Sequence, residues 1–321
     1  MLGRKDLTVI IRSSGERTVP VLRNLLGKQL AEEQLFEVNE VPNSRALKKA
    51  FKIASRQNRP WLLLIDGDIL PFRQIIDRTL QIADGLDERV YCIQCNNVDK
   101  MMRLYRPSGI HMYRTALIDK ALKLIPEENT MMRPESTTMG SMEEQGYPTL
   151  FAEEVLALHD FEQYYKDLYR KGYFCTHKFT DKIPYLKKIW GRLAEENNDY
   201  KVLLEGLKKG ESYEGLVVSN VEQFNKMNIP RILSENGIAE KDKLNEDDID
   251  FEWIEQIYQK FNIPREHYNA VISSKSDPEK ITKPPLKRRF LQLKGKIGVM
   301  KLGPWIIGNF FEKFGTLLKS E

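Results

Sequence analysis

The chain has 321 residues, room for one large domain or two ordinary ones, and its 41% apolar content supports a real core. Fifty basic residues against 46 acidic ones leave a net +4, too small to imply a nucleic-acid partner. Cys92, Cys95 and Cys175 make no disulfide framework, the C-x-x-C pair lacks a second pair to close a zinc site, and no apolar run is long enough to span a membrane. Core cysteines in a reducing, cytoplasmic setting are the expectation.

In chain order, residues 7–11 (LTVII) are β-branched and predict a first strand, followed by a polar loop over 12–18. Val21, Leu22, Leu25 and Leu26 recur at helical spacing, with Gly27 near the end. Residues 36–41 alternate as a half-exposed strand does. Asn43 or Ser44 is placed to cap a helix whose apolar positions are Leu47, Ala50, Phe51 and Ala54. Residues 61–65 (WLLLI) lack 3.6 spacing and read as a strand buried on both faces. Strand, helix, strand, helix, strand is the pattern of a sheet with parallel crossovers.

Ile75, Ile76, Leu80, Ile82 and Ala83 predict another helix, and residues 89–94 another strand. Residues 107–109 (PSG) read as a turn, and 110–124 as strand then helix. The polar, Met-rich piece over 127–146 shows no period and reads as an irregular functional loop. Residues 151–172 read as a helix carrying His159. From 181 onward strand signals fade, and 185–210, 220–235 and 251–262 are helical in pattern.

The buried strand at 61–65 ends in Asp66-Gly67-Asp68. An unpaired carboxylate is too costly to keep in a core, so both should emerge at the strand's carboxyl end, where open α/β sheets place ligands. Residues two apart in extended chain point to one side, so Asp66 and Asp68 can converge on one hard cation, with Gly67 leaving room against the backbone. Mg²⁺ or Mn²⁺ suits that donor type. The plain alternative is a strand ending in a polar turn.

These stretches resemble GT-A fold glycosyltransferases of the nucleotide-sugar-dependent, D-x-D, family-2-like type. Residues 7–17 resemble their first strand and nucleotide loop, 43–68 the helix and strand delivering D-x-D, and 108–114 (SGIHMYR) the segment opening the acceptor half. The resemblance covers roughly residues 5–175. It implies an α/β fold with a GT-A-like mixed, mostly parallel sheet flanked by helices, followed by a helical C-terminal region. It implies a nucleoside diphosphate sugar as donor, held by Arg12, Ser13, Ser14, Arg17, Asp66, Gly67 and Asp68. It implies Mn²⁺ or Mg²⁺ on Asp66, Asp68 and His159, the last about ninety residues after the aspartates. The implied reaction moves a sugar to a glycan or lipid-linked acceptor.

An inverting member needs a carboxylate as proton acceptor, and of Glu135, Glu143, Glu144, Glu153 and Glu154 the last two, just before His159, are the favoured pair. Two other readings of the chain stand beside this one. A haloacid-dehalogenase-like phosphatase also places D-x-D after a buried strand, although here Ile69-Leu70-Pro71 follows the motif. The other is a catalytically inactive nucleotide-sugar-binding protein at a membrane.

The expected organisation is a catalytic unit over 1–180, a helical region over 181–283, and a basic amphipathic tail over 284–321. Between 286 and 321 there are eight Lys or Arg against two Glu. Ile306, Ile307, Phe310, Phe311, Phe314, Leu317 and Leu318 make an apolar stripe, preceded by Trp305, as in a helix lying in a membrane interface. The expectation is peripheral contact with the inner face of the membrane.

Overall fold

The computed structural model describes residues 1–218, 220–224 and 227–261. The predicted tail at 284–321 lies outside the described residues. In chain order the elements are β1 (Leu7–Ser13), α1 (Val19–Gly27), β2 (Leu35–Asn39), α2 (Asn43–Gln57), β3 (Trp61–Asp66), β4 (Ile69–Pro71), α3 (Ile75–Ala83), β5 (Cys92–Asp99) and β6 (Leu104–Arg114). They continue with α4 (Ile118–Leu122), α5 (Pro134–Glu144), β7 (Thr149–His159), α6 (Tyr165–Lys178), α7 (Ile183–Leu193), α8 (Asn198–Glu211), α9 (Ile229–Glu235) and α10 (Phe251–Lys260). No described helix is long and apolar enough to cross a membrane.

One seven-stranded mixed sheet runs β2-β1-β3-β6-β5-β7-β4. β1 pairs in parallel with β2 and β3, and β5 with β7, while β6 runs antiparallel to β3 and β5, and β4 to β7. The βαβαβ start follows from the sequence: Val9 to Ile11 of β1 and Trp61 to Ile65 of β3 are apolar runs buried on both faces, as parallel strands covered by helices must be. Helices α1 and α3 contribute to the core on one face, with Leu22, Leu26, Ile76 and Leu80, and α2, α4 and α5 to the core on the other.

Three expectations are corrected. Residues 151–159 belong to β7, and helix begins only at Tyr165. The segment is rich in Ala, Glu and Leu, good helix formers, but its edges are claimed by β5 and β4, and pairing overrides propensity. The irregular piece at 127–146 contains α5, whose buried stripe is Pro134, Thr138 and Met142, too weakly apolar to register as a period. Residues 107–109 lie within β6 as a bulge: Gln94 pairs with His111 and Asn96 with Pro107, leaving extra residues on β6. Gly109 takes φ +68, and a Cβ there would lie 2.8 Å from Ile69 Cδ1.

From α6 onward the predicted helical character holds, and these helices form a second core around Tyr169, Tyr173, Trp190 and Leu203. α6 crosses α8 at backbone contact: a Cβ on Gly172 would lie 2.1 Å from Leu203 O, and one on Gly206 2.0 Å from Tyr169 O. α10 returns to the sheet, where Phe251 and Ile254 pack with Leu70, Val98 and Leu158. Cys92, Cys95 and Cys175 are buried and free, as expected.

Candidate active site

The carboxyl ends of β1 and β3 and the ends of β5 and β7 open onto one cavity of about 310 Å³, also walled by α5 and α6. Sheet register assembles its chemistry. On β1 and β3, Arg12 is the neighbour of Asp66, and on β5 and β7, Asp99 is the neighbour of His159. On its other side His159 opposes Ile69, one residue past Asp68, and the Asp160 amide donates to Asp68 O at 3.2 Å. Residues ninety apart in sequence thus meet at one point.

Asp68, His159 and Asp160 each bring a ligand-type atom within 4.8 Å of the others. Asp160 holds φ +66, a left-handed conformation that Asp tolerates better than most residues and that is kept here by its surroundings. His159 Nδ1 lies 2.9 Å from Asp99 Oδ2, and an ionised carboxylate only accepts, so the ring proton sits on Nδ1. Nε2 then offers its lone pair on the side of Asp68, whose Oδ2 is 3.5 Å away. Asp99 is fully buried, takes the Arg106 Nε–H at 2.5 Å and the Met102 amide at 2.7 Å, and is held well below the usual carboxylate range despite its burial.

Lys171, on α6, seats its ammonium between Asp68 Oδ2, at 2.5 Å, and Asp160. Burial alone would push the Asp68 carboxyl up, but the Lys171 ammonium overturns that and holds it well below its ordinary value. The other oxygen, Asp68 Oδ1, is buried and has no hydrogen-bond partner among the described residues. Two carboxylates, an oriented imidazole and an orphaned buried oxygen fit a hard divalent cation, with the position now neutralised by an ammonium.

Asp66 is engaged differently. Its Oδ1 accepts the Arg12 Nε–H at 2.8 Å, and Arg12 also donates to Glu135 Oε2 at 2.9 Å. Burial works against the Arg12 cation, yet Asp66 and Glu135 raise it above its already high value. Glu135, at the start of α5, also accepts from Tyr113 Oη at 2.6 Å, and its carboxyl is drawn down to about 2 against the effect of burial, chiefly by Arg12.

Of the residues expected at the site, Asp68 and His159 come together, and Arg12, Ser14 and Asp66 line the same cavity. Gly67 supports the loop: a Cβ there would lie 2.6 Å from Glu16 Oε2. Ser13 turns its hydroxyl toward Glu37, and Arg17 pairs with Glu162 at 2.7 Å and with Asp242 O. Glu153 is exposed and Glu154 half-buried on β7, before the part of the strand that reaches the cavity. Glu135 is among the carboxylates weighed as proton acceptor from the sequence, whereas Asp99, Asp160, Lys171 and Glu16 were given no role by it. Asp160 follows His159 directly, and that acidic neighbour is the only local signal among them. Glu16 has its carboxyl raised to about 7 by burial and then by the charge of Asp68.

No protein family model matches the chain, and no curated protein matches it in sequence. Among solved structures it is similar to a glycosyltransferase involved in the glycosylation of the major capsid of PBCV-1, with 10% identity, TM-score 0.35, 48% of this chain and 92% of that one covered. It is also similar to a cytidylyltransferase from Leptospira borgpetersenii, with 13% identity, TM-score 0.35, 64% of this chain and 95% of that one covered. A third is S. aureus TarS 1-349, with 13% identity, TM-score 0.33, 71% of this chain and 76% of that one covered.

Proposed function

We propose that the chain is a divalent-metal-dependent glycosyltransferase that moves a sugar from a nucleoside diphosphate to an acceptor. The observation that carries the reading is the Asp99–His159 bond, which turns the imidazole lone pair toward Asp68, beside Asp160, at the rim of the cavity. Metal-ligating histidines are oriented by a carboxylate on their other nitrogen in this way.

In this reading Asp68, His159 and Asp160 hold Mn²⁺ or Mg²⁺, an imidazole among oxygen donors favouring Mn²⁺. The ion would supply charge stabilisation of the departing diphosphate. Lys171 leaves its place between the carboxylates, and its ammonium is then free to face a phosphate oxygen. Arg12, fixed by Asp66 and Glu135, offers a preset guanidinium edge on the nucleotide side, and Ser14 lines the loop beside it. Asp66 acts through Arg12 in this arrangement. A haloacid-type phosphatase is disfavoured, because an Asp66 nucleophile needs a free carboxylate beside the metal group, and Arg12 occupies it.

Calorimetry with a panel of nucleoside diphosphates, with and without Mn²⁺, tests this. One nucleotide should bind at least tenfold tighter with Mn²⁺. Asp68→Ala should remove that gain, while Asp66→Ala should weaken nucleotide binding yet leave Mn²⁺ binding by the protein alone intact. Equal affinity with and without metal for every nucleotide would falsify the reading.

A further inference from the structure

Besides Arg12, three further cations line the cavity and act on one another. Arg106 comes from β6, Arg133 from the turn before α5, and Lys178 from the last turn of α6. Only Arg106 has an acidic partner among the described residues, Asp99, and that carboxylate is already shared with His159. Arg133 and Lys178 make no ion pair or hydrogen bond with an acid there. Asp99 and Glu135 offset part of this charge, and the remaining like-charge repulsion raises the energy of the empty protein and is relieved by a bound anion. The Lys178 amine shows the strain: burial first, then Arg133 and Arg106, pull it well below its ordinary value.

Beside these cations the cavity wall is apolar. Phe174 and Phe179 flank Lys178 on α6 and just beyond it, and Met101, Met102 and Phe224 belong to the buried helical core while also lining the cavity. The Arg106 guanidinium and the Lys178 amine both lie over the Phe179 ring, at 5.9 and 4.8 Å. Cations with an aromatic and methionine surface next to them match a ligand with an anionic head and an apolar body.

We propose that this wall binds the acceptor, and that the acceptor is an amphiphile with a phosphate head, held by Arg106, Arg133 and Lys178, and an apolar chain lying along Phe174, Phe179 and Phe224. The acceptor role rests on the glycosyltransferase reading, but the binding of a phosphate amphiphile does not.

Octyl phosphate is the probe, titrated into the full chain in EDTA, with glucose 6-phosphate and octyl glucoside as head-only and chain-only controls. Octyl phosphate should bind at least tenfold tighter than either control, and more weakly as salt is added. Lys178→Met and Arg133→Gln should each weaken it about tenfold. Lys178→Met should fold at least as well as the parent, since it removes a charge that burial disfavours. Asp68→Ala should leave octyl phosphate binding unchanged, so failure of the metal reading shows separately in the Mn²⁺–nucleotide titration. Unchanged octyl phosphate affinity in both cation variants overturns the site. Glucose 6-phosphate binding as tightly as octyl phosphate overturns the apolar part. Competition between octyl phosphate and the Mn²⁺-nucleotide places the cations in the donor site and overturns the acceptor assignment.

Discussion

Asp99 and His159 are register partners on two parallel strands, and Asp99 Oδ2 accepts the His159 Nδ1–H at 2.9 Å. The bond fixes which nitrogen faces Asp68. Replacing Asp99 by Asn keeps the shape, but the amide can offer its NH₂ and stabilise the other tautomer, and Arg106 loses its counter-charge. Mn²⁺ affinity should drop 10- to 100-fold, the usual effect of losing a group that orients a metal ligand. Mn²⁺ titration followed by electron paramagnetic resonance measures it, and an unchanged Kd would show that Asp99 serves the fold alone.

Lys171 would have the opposite relation to an ion in the proposed metal site. It neutralises Asp68 and Asp160 when no divalent ion is bound. Lys171→Met should therefore leave two buried carboxylates uncompensated and lower Tm by several degrees in EDTA. Mn²⁺ should then restore Tm, and shift it further than in the parent, because binding to the folded state stabilises in proportion to affinity. Thermal melts with and without Mn²⁺ decide this; equal metal shifts in both proteins contradict competition between ammonium and ion.

How much of this was legible in the sequence depends on range. The buried run at 61–65 and its Asp66-Gly67-Asp68 end announced both the central strand and the rim, because apolar run and carboxylate ending are local signals. Helices with a strong apolar stripe, such as α2 with Leu47, Ala50, Phe51 and Ala54, were equally plain. β7 was hidden, since Ala, Glu and Leu speak for helix and only its neighbours make it a strand. Arg12 reads as loop, yet register carries β1 to Ser13 and puts Arg12 beside Asp66. Asp99 and Lys171 carry no local mark, because their roles exist only through strand register and the seat of α6.

The α6–α8 crossing gives a packing prediction. Gly206→Ala would put a methyl carbon 2.0 Å from the Tyr169 carbonyl oxygen, and backbone cannot step aside as a side chain can. The helices must separate, which costs about 3 kcal/mol or more at such a contact. Urea unfolding should show a lower midpoint. Mn²⁺ affinity should fall too, since α6 carries Lys171 and leads directly from the His159 strand. A variant as stable as the parent would mean that the two helices are not in backbone contact.

Glu16 makes stability depend on pH in an unusual direction. Its folded carboxyl titrates at about 7 against 4.5 for an ordinary glutamate, because burial and the charge of Asp68 both oppose ionisation. Between those values the folded protein holds a proton that the unfolded chain has released, so stability falls as pH rises from about 4.5 to 7 and then levels. The loss amounts to about 3 kcal/mol at most. Asp68, Asp99 and Glu135 are depressed, so their contributions are already complete above the ordinary carboxylate range and do not vary in this window. His111, whose ring is pushed below its usual value by burial, has the opposite slope, so the comparison must be between two proteins. Glu16→Gln keeps the size and removes only the titration. In metal-free buffer the two stability curves should converge near pH 5, and at pH 8 the Gln variant should be the more stable by several degrees in Tm. Curves that stay parallel from pH 5 to 8 would place Glu16 in solvent contact and remove it from the electrostatics of Asp68.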